Sequence, residues 1–345
     1  MTRAFITGVT GCVGSNLAAA LLRRGVEVVG LCQPGAPTVA LRGLDIERVN
    51  GDILDPECLR RAVSGADWVF HVAAIADDWK HKPELVYRVN VEGTRNVLAA
   101  AAEAGAQRFV LTCSAAVLGA PRPGRTLLDE TTPNNLKPGD WIYAHSKLLA
   151  EGALMEYATQ GLHAISLLPT AILGPADTSF ISGQLITRVL AGGSFPFPQG
   201  GVNYIDVRDV AEAHIAAAER GRSGERYLLG GHNLSHLHYL GVIGDVIGMP
   251  VRYSQVPSAV LPLMAAALDG ARRAGLRVPV DGARVLLGGE YMYYDNRKAA
   301  RELGLQPRPF AQTVEDTYRW YVEQGVIKTP LRSGTVEQRV IPPSA

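Results

Sequence analysis

The chain has 345 residues, 47% of them hydrophobic and 19% charged, enough for a sizeable core and for two domains or one domain carrying a lobe. Its 34 basic and 33 acidic side chains leave a net charge of +1, which gives no electrostatic reason to expect nucleic acid or an anionic membrane as partner. The four cysteines (Cys12, Cys32, Cys58 and Cys113) form no Cys-x-x-Cys pair and no metal-ligand spacing with histidine. No metal site and no disulfide framework is expected, and a reducing, cytoplasmic setting fits.

The chain starts MTRAFITGVTGCVG, a strand and a glycine turn without the apolar core of a signal peptide. A short strand is predicted over 4–7 and a helix over 17–24. A continuous apolar run over 26–31 predicts a strand buried on both faces. A weaker strand follows at 48–51, then a helix at 56–63 and a strand at 68–73. An alanine-rich helix over 91–104 is stopped by Gly105. A strand at 109–112, a long helix at 143–159 and a strand at 163–168 complete the first half. Strands alternating with helices predict βαβ units and a doubly wound parallel sheet, an α/β fold. After Pro169 glycine and proline become frequent and the elements shorten, with helices predicted at 207–220, 236–247, 257–274 and 310–324. The longest apolar stretch, 259–268, is too short to span a membrane, which takes about 20 residues.

Between the first strand and first helix stands Thr7-Gly-Val-Thr-Gly-Cys-Val-Gly14. Gly8 permits a tight turn, Gly11 a close approach to a pyrophosphate, and Gly14 close packing of helix on strand. Thr10, Cys12 and Val13 complete a loop whose helix N-terminus offers N–H groups and a positive dipole end to phosphates. The spacing is Gly-x-x-Gly-x-x-Gly rather than the commoner Gly-x-Gly-x-x-Gly, and its place between a strand and a helix at the chain start points to a Rossmann dinucleotide-binding domain, expected over 1–170, with segments near 205–230 returning to it. A smaller α+β substrate lobe is expected over 171–328, and a loose tail over 329–345. The second strand ends Gly30-Leu-Cys-Gln33, with neither the acid that binds a ribose 2′-hydroxyl nor an adjacent arginine for a 2′-phosphate. Loss of the acid removes repulsion of a 2′-phosphate, so NADP(H) is slightly preferred and NAD(H) stays open. Gln33 bonds to either form, and Arg42 is a candidate to reach in from the following loop.

Tyr143-Ala-His-Ser-Lys147 opens the long helix, and its i and i+4 positions share one face. An ammonium beside a phenol favours the phenolate and suits the pair to general acid–base work near neutral pH. Ser114 directly follows the fifth strand, at the sheet edge where open α/β folds bind ligands, and its hydroxyl suits a substrate oxygen whose charge changes. Cys113 has no basic partner in sequence and is not read as a nucleophile. His145 is expected to face solvent or the lobe.

With these features in this order, the chain resembles the extended short-chain dehydrogenase/reductase (NAD-dependent epimerase/dehydratase) superfamily over nearly its whole length. The resemblance implies a catalytic group of Ser114, Tyr143 and Lys147, with Tyr143 and Lys147 also touching the cofactor. It sets Asp52 and Ile53 against the adenine and Ala73 and Ala74 beside the cofactor. Asn90 begins the Asn-Val-x-Gly-Thr helix start, and Thr112 belongs to the serine strand. Pro169, Thr170 and Ile172 fall in the segment that contacts the nicotinamide. Leu168 stands where many family members carry arginine.

Two branches look similar: the dihydroflavonol reductase and 3β-hydroxysteroid dehydrogenase type, and bacterial hopanoid-associated sugar epimerases. The first implies interconversion of a carbonyl and an alcohol on a small lipophilic substrate. The second implies a nucleotide-sugar epimerase or dehydratase with tightly bound NAD. Ala76, Trp79, Phe180 and Tyr204, with Ser114, are candidate substrate contacts. Arg188, Arg252 and Arg284 are candidate diphosphate partners. The apolar helix near 257–274, with a basic end, is expected to pack into the core; sheltering a lipophilic substrate or touching a membrane surface are its other readings. The family's frequent dimerisation through two paired helices assigns that role to 91–104 and 143–159.

Overall fold

The apolar runs of the first half become the strands β1 (Arg3–Thr7), β2 (Glu27–Cys32), β3 (Glu47–Asn50), β4 (Trp68–His71), β5 (Arg108–Thr112) and β6 (Ala164–Pro169). Between them run α1 (Cys12–Leu22), α2 (Pro56–Val63), α3 (Pro83–Tyr87), α4 (Gly93–Glu103) and α5 (Ile142–Thr159). Then follow β7 (Ala171–Leu173), α6 (Gln184–Leu190), β8 (Ser194–Pro198), β9 (Gly201–Asp206), α7 (Val207–Arg220), β10 (Arg226–Leu229), β11 (His232–Ser235) and α8 (His236–Ile247). The chain continues through β12 (Arg252–Val256), α9 (Leu261–Arg273), α10 (Gly282–Leu287), β13 (Tyr291–Met292), α11 (Arg297–Leu303) and α12 (Phe310–Glu323). These coordinates are a computed structural model describing residues 1–77, 80–121, 127–178, 182–192, 194–276, 278 and 282–327.

Seven parallel strands form the central sheet in the order β3-β2-β1-β4-β5-β6-β10. Alternate side chains leave opposite faces of a strand. Ala4 and Ile6 therefore enter one apolar layer while Phe5 enters the other, all fully buried. In the first layer α1 sets Leu17, Ala18 and Leu21 against the alanine-rich face of α7. Each such buried leucine stabilises the fold by roughly 1.5–3 kcal/mol. The order reverses between β1 and β4, which opens a crevice at their C-terminal ends. A second sheet runs β11-β9-β13 with β7 also on β9. It rises from the same edge, because β7 continues directly from β6.

Three elements differ from their sequence expectation. α1 begins at Cys12 rather than at 17, because its first turn presents backbone to the crevice and only from Leu17 onward do apolar side chains mark the core face. The helix expected from 91 begins at Pro83, with proline at its first position and Glu84 in its first turn, and passes through a π-turn at 88–92 into α4. The extra residue in that turn breaks the 3.6-residue pattern, which hid the first half. The apolar helix expected in the core is α9, and it buries only Leu261 and Ala265. Leu263 is 73% exposed and Met264 39%. No helix among the described residues is long and apolar enough to cross a membrane.

Candidate active site

β1 delivers the chain to Gly8, whose φ of +68° lies in the left-handed region that favours glycine. A Cβ there would stand 2.7 Å from the Ala73 nitrogen, so the turn lies directly on the loop after β4. A Cβ at Gly14 would run into the Gly8 carbonyl, so α1 closes on the turn only with glycine in that place. Gly11 differs: its Cβ would meet only the Gly8 carbonyl at 3.4 Å, and the residue borders the crevice. α1 starts there with no side-chain cap and no acid in its first turn. Its leading N–H groups and the positive end of its dipole are left to an anion. The turn thus fits a dinucleotide pyrophosphate.

The crevice is a cavity of about 1120 Å³. Its wall contains the expected Gly8, Thr10, Gly11, Cys12, Val13, Gln33, Asp52, Ile53, Ala73, Ala74, Ala76, Pro169, Thr170, Ile172 and Tyr204, together with Ser114 and Tyr143. Gln33 and Asp52 stand side by side at the end of β2 and β3, 3.5 Å apart, and Asp52 caps its own loop through the Leu54 N–H at 2.9 Å. Arg42 is exposed and outside this wall. Trp79 and Phe180 lie outside the described residues.

Ser114 caps the short 3₁₀ turn Ala115–Leu118: its Oγ accepts the Ala116 N–H at 3.2 Å, which leaves its O–H to donate into the cavity. Tyr143 enters the cavity from the first turn of α5. Lys147 departs from its expected place. It is 2% exposed, does not reach the cavity wall, and donates from Nζ to the Thr112 carbonyl at 2.6 Å. A buried ammonium needs an acceptor, and the strand's last carbonyl supplies one. Burial lowers the Lys147 pKa, with the Glu151 carboxylate acting against it. The Thr112 side chain turns away from the cavity as well, and donates to His214 Nε2 at 2.7 Å. Burial pushes the Cys113 thiol up to about 12, which removes it as a nucleophile near neutral pH.

Asn90 is not a wall residue either. The π-turn aims its side chain at the loop after β4: Oδ1 accepts the Ile75 N–H at 2.8 Å and Nδ2 donates to the Ile75 carbonyl at 3.0 Å. Nδ2 also donates to Ser146 Oγ at 2.9 Å, and Ser146 donates to the Tyr143 carbonyl at 2.8 Å. Asn90 thus ties the Ala73–Ala76 stretch to the helix that carries Tyr143. His145 meets the Tyr87 hydroxyl at 2.9 Å rather than solvent or lobe, because α3 covers that side of α5.

His71 completes the support. Thr7 Oγ1 accepts the Val72 and Ala73 N–H groups at 3.2 Å, so its own proton goes to His71 Nδ1 at 2.7 Å. His71 Nε2–H then donates to Thr94 Oγ1 at 2.9 Å, which donates to the Asn90 carbonyl at 2.6 Å. This chain of bonds requires a neutral ring. Burial and then the Lys147 charge push the His71 pKa down to about 3, and burial pushes His214 down to about 4. In the unfolded chain both take up a proton below about 6.5. Their stabilising contribution is therefore complete above that value and lost as pH falls from it. The urea midpoint is expected to drop between pH 7.5 and pH 5, and less so in His214→Gln. A midpoint constant over that range would contradict neutral buried rings.

The lobe wall went largely unread in the sequence. Leu185, Phe197, His236, Leu287, Met292 and Tyr294 face the cavity from the lobe, and Trp141 and His81 face it from the first half of the chain. Phe197 and His236 stack at 5.2 Å. Tyr204 stacks on Tyr239 at 4.2 Å and is only 7% exposed, so it shows the cavity one edge. Buried Asn203 links lobe to sheet: its Oδ1 accepts from Thr170 Oγ1 at 2.7 Å and the Gly231 N–H at 2.8 Å. Its Nδ2 donates to Asn233 Oδ1 at 2.7 Å, and Asn233 holds the Tyr294 backbone. Of the three candidate arginines only Arg284 borders the cavity; Arg188 and Arg252 are exposed.

The sequence pattern of the NAD dependent epimerase/dehydratase family matches residues 4–230, from β1 through the end of β10. The chain belongs to that family. It is similar to a protein of Synechocystis sp. named putative dihydroflavonol 4-reductase, 36% identical over 94% of this chain and 96% of the relative. It is also similar to a 4-hydroxy-2-methyl-3-oxo-4-farnesyl-3,4-dihydroquinoline-1-oxide ketoreductase of Stigmatella aurantiaca, 31% identical over 92% of this chain and 96% of the relative. Among solved structures, that of gox2253 superposes with a TM-score of 0.83 at 32% identity, covering 94% of this chain and 99% of that one. The matched region takes in β7 and β9 of the second sheet, and β11 and β13 follow beyond residue 230.

Proposed function

We propose that this protein is an NAD(P)H-dependent oxidoreductase that interconverts a ketone or aldehyde with an alcohol on a small, lipophilic substrate. The observation that carries the reading is the convergence of Ser114 and Tyr143 on one cavity with the glycine turn at one end and mostly apolar and aromatic side chains at the other. When bound, the cofactor supplies or accepts the hydride. Ser114 donates its hydroxyl to the substrate oxygen, fixing it where charge develops. Tyr143 donates to the same oxygen and gives it a proton in reduction. Lys147 holds the Thr112 carbonyl, and with it the end of β5 from which Ser114 projects; it also places a positive charge one helical turn from Tyr143. The apolar wall keeps water from the reacting oxygen and strengthens both hydrogen bonds. Relatives named for a dihydroflavonol and a farnesylated quinoline support an apolar substrate body.

The chain leaves β2 through Gln33 without an acid, which favours NADPH slightly over NADH; the Asp52 carboxylate beside Gln33 comes from the end of β3. Arg95 of α4 pairs with Glu156 of α5 at 2.8 Å, and Leu149 on α5 is 41% exposed; the face the two helices share is the one we assign to a homodimer. The test is to titrate purified protein with NADPH and NADH by fluorescence and follow their oxidation with aryl and alicyclic ketones. Ketone-dependent oxidation, faster with NADPH, is expected. Tight binding of dinucleotide without net oxidation by any ketone would move the assignment to an epimerase or dehydratase.

A further inference from the structure

α9 reverses the usual order of a surface helix. Its buried residues are Leu261 and Ala265; Gly282 at the start of α10 lies against Ala265, and Gly289 just past its end against Leu261. Asp269, on the same side, accepts the Gly282 N–H at 2.9 Å. The opposite side faces outward, where a surface helix normally carries charge. Every exposed residue from Ala259 to Gly270 is nevertheless apolar or glycine. Val260, Leu263, Met264 and Ala267 stand at i, i+3, i+4 and i+7, so they form one stripe, with Leu263 the most exposed of them at 73%. Leu276 beyond the helix and Leu286 on α10 are exposed as well. Charge gathers at one end of the stripe. Arg273, exposed in the last turn, has no acidic partner among the described residues. The overall charge of +1 conceals a local surplus, because residues 251–289 hold five arginines against two aspartates.

We propose that this face of α9 docks on the surface of a lipid bilayer containing anionic phospholipid, with the apolar stripe in the acyl boundary and Arg273 among the headgroups. An uncharged outer face over three turns, with a basic end, is what a helix lying in the interface requires. Each arginine near an anionic surface adds attraction, which matches the sign of the local surplus. Size argues against a second protein as the occupant. A helix of 13 residues is about 20 Å long and about 10 Å across. That strip falls well short of the roughly 800 Å² that each partner of a stable protein complex contributes. An interfacial helix needs only to sink its apolar face by about 5–10 Å. The docked face also stands next to the cavity, since α9 packs on α10 and Leu287 and Gly288 line the lobe wall. A lipophilic substrate can then pass from bilayer to cavity without crossing bulk water. That use of the surface rests on the oxidoreductase reading above; the docking itself does not.

The experiment floats the full chain with vesicles of phosphatidylcholine containing about 30% phosphatidylglycerol, and with vesicles of phosphatidylcholine alone. Wild type is expected to bind the anionic vesicles several-fold more tightly than the neutral ones, and less so as salt rises. The double variant Leu263→Ser, Met264→Ser should bind both kinds roughly tenfold or more weakly. Arg273→Glu should weaken binding to the anionic vesicles several-fold and leave the neutral ones unaffected. Val326→Ser, which changes an exposed apolar residue after α12, should leave binding as in wild type. All four altered side chains are exposed, so an unchanged urea midpoint verifies the fold of each variant. Failure of wild type to float, binding that survives the double variant, or an equal loss in Val326→Ser would each overturn the proposal. So would a dimer, seen by light scattering, that the double variant breaks, because a second copy would then hold the stripe. Ketone-dependent oxidation of NADPH is measured separately without vesicles, so a failed reductase assignment is not confused with a failed docking face.

Discussion

Tyr143→Phe is expected to lower kcat on an accepted ketone by about 10³-fold while leaving NADPH affinity within about twofold of wild type. The substitution removes one oxygen and keeps the ring, so the tilted contact with Trp141 at 6.1 Å and the start of α5 persist. The Ser146 bond survives too, because Ser146 donates to the Tyr143 backbone carbonyl and not to its hydroxyl. What is lost is the proton donor and one of two groups that orient the substrate oxygen. Ser114→Ala removes the other group and leaves the proton source, so its defect should be smaller. Single-turnover kinetics with bound NADPH would check both. Wild-type turnover in Tyr143→Phe would remove Tyr143 from catalysis and, with it, the proposed chemistry.

The features legible in the sequence are those whose function is set by neighbours within a few residues. Gly8, Gly11 and Gly14 state a strand-turn-helix geometry by themselves, and the coordinates add why Gly8 and Gly14 exclude a side chain while Gly11 borders the crevice. Ser114 is suggested by its place after the fifth strand and Tyr143 by its spacing to Lys147, and the resemblance implies the catalytic role of both. The roles of Asn90, Thr112 and Lys147 were less legible, because the motif gives the residue and not the direction of its side chain. The π-turn turns Asn90 to Ile75, and burial sends Lys147 to the nearest carbonyl. The lobe wall was the least legible. Trp141 and Arg284 meet across more than a hundred residues, and no local pattern announces that. Asn203 reads as one polar residue in a short strand until Thr170, Gly231 and Asn233 are placed around it. α9 shows the opposite failure: apolar composition predicts burial, yet composition does not supply a partner, and most of that helix has none among the described core clusters.

Asp206→Asn is expected to destabilise the fold by roughly 3 kcal/mol at pH 7, the low end of the cost of breaking a buried ion pair. The Asp206 side chain is fully buried at the junction of β9 and α7. It accepts the Arg208 N–H at 2.7 Å, Arg208 Nε at 2.9 Å and Thr313 Oγ1 of α12 at 2.8 Å, with Arg308 at 3.4 Å. One carboxylate therefore joins the second sheet, a helix of the central sheet and the C-terminal helix. An amide keeps one acceptor oxygen for the helix start but turns an NH₂ toward arginine donors. The arginines retain other partners, Arg208 in Asp316 at 2.7 Å and Arg308 in Asp209 at 3.0 Å, which keeps the loss below the upper range. Burial raises the Asp206 pKa, but its bonds to Arg208 outweigh that, and the net value lies below the usual carboxylate range. Its stabilising effect is thus full above about pH 4, the unfolded value, and lost as pH falls through the lower folded one. Asp209 runs the other way: burial raises its pKa, so its protonated form favours folding and its contribution is lost as pH rises through the folded value. Urea unfolding of wild type and Asp206→Asn at pH 7 and pH 3 separates the charge from the packing. The gap between the two proteins should be wide at pH 7 and smaller at pH 3, where the unfolded carboxyl has taken up its proton. A gap of the same size at both would mean that Asp206 acts through shape and hydrogen-bond geometry and that its charge contributes nothing.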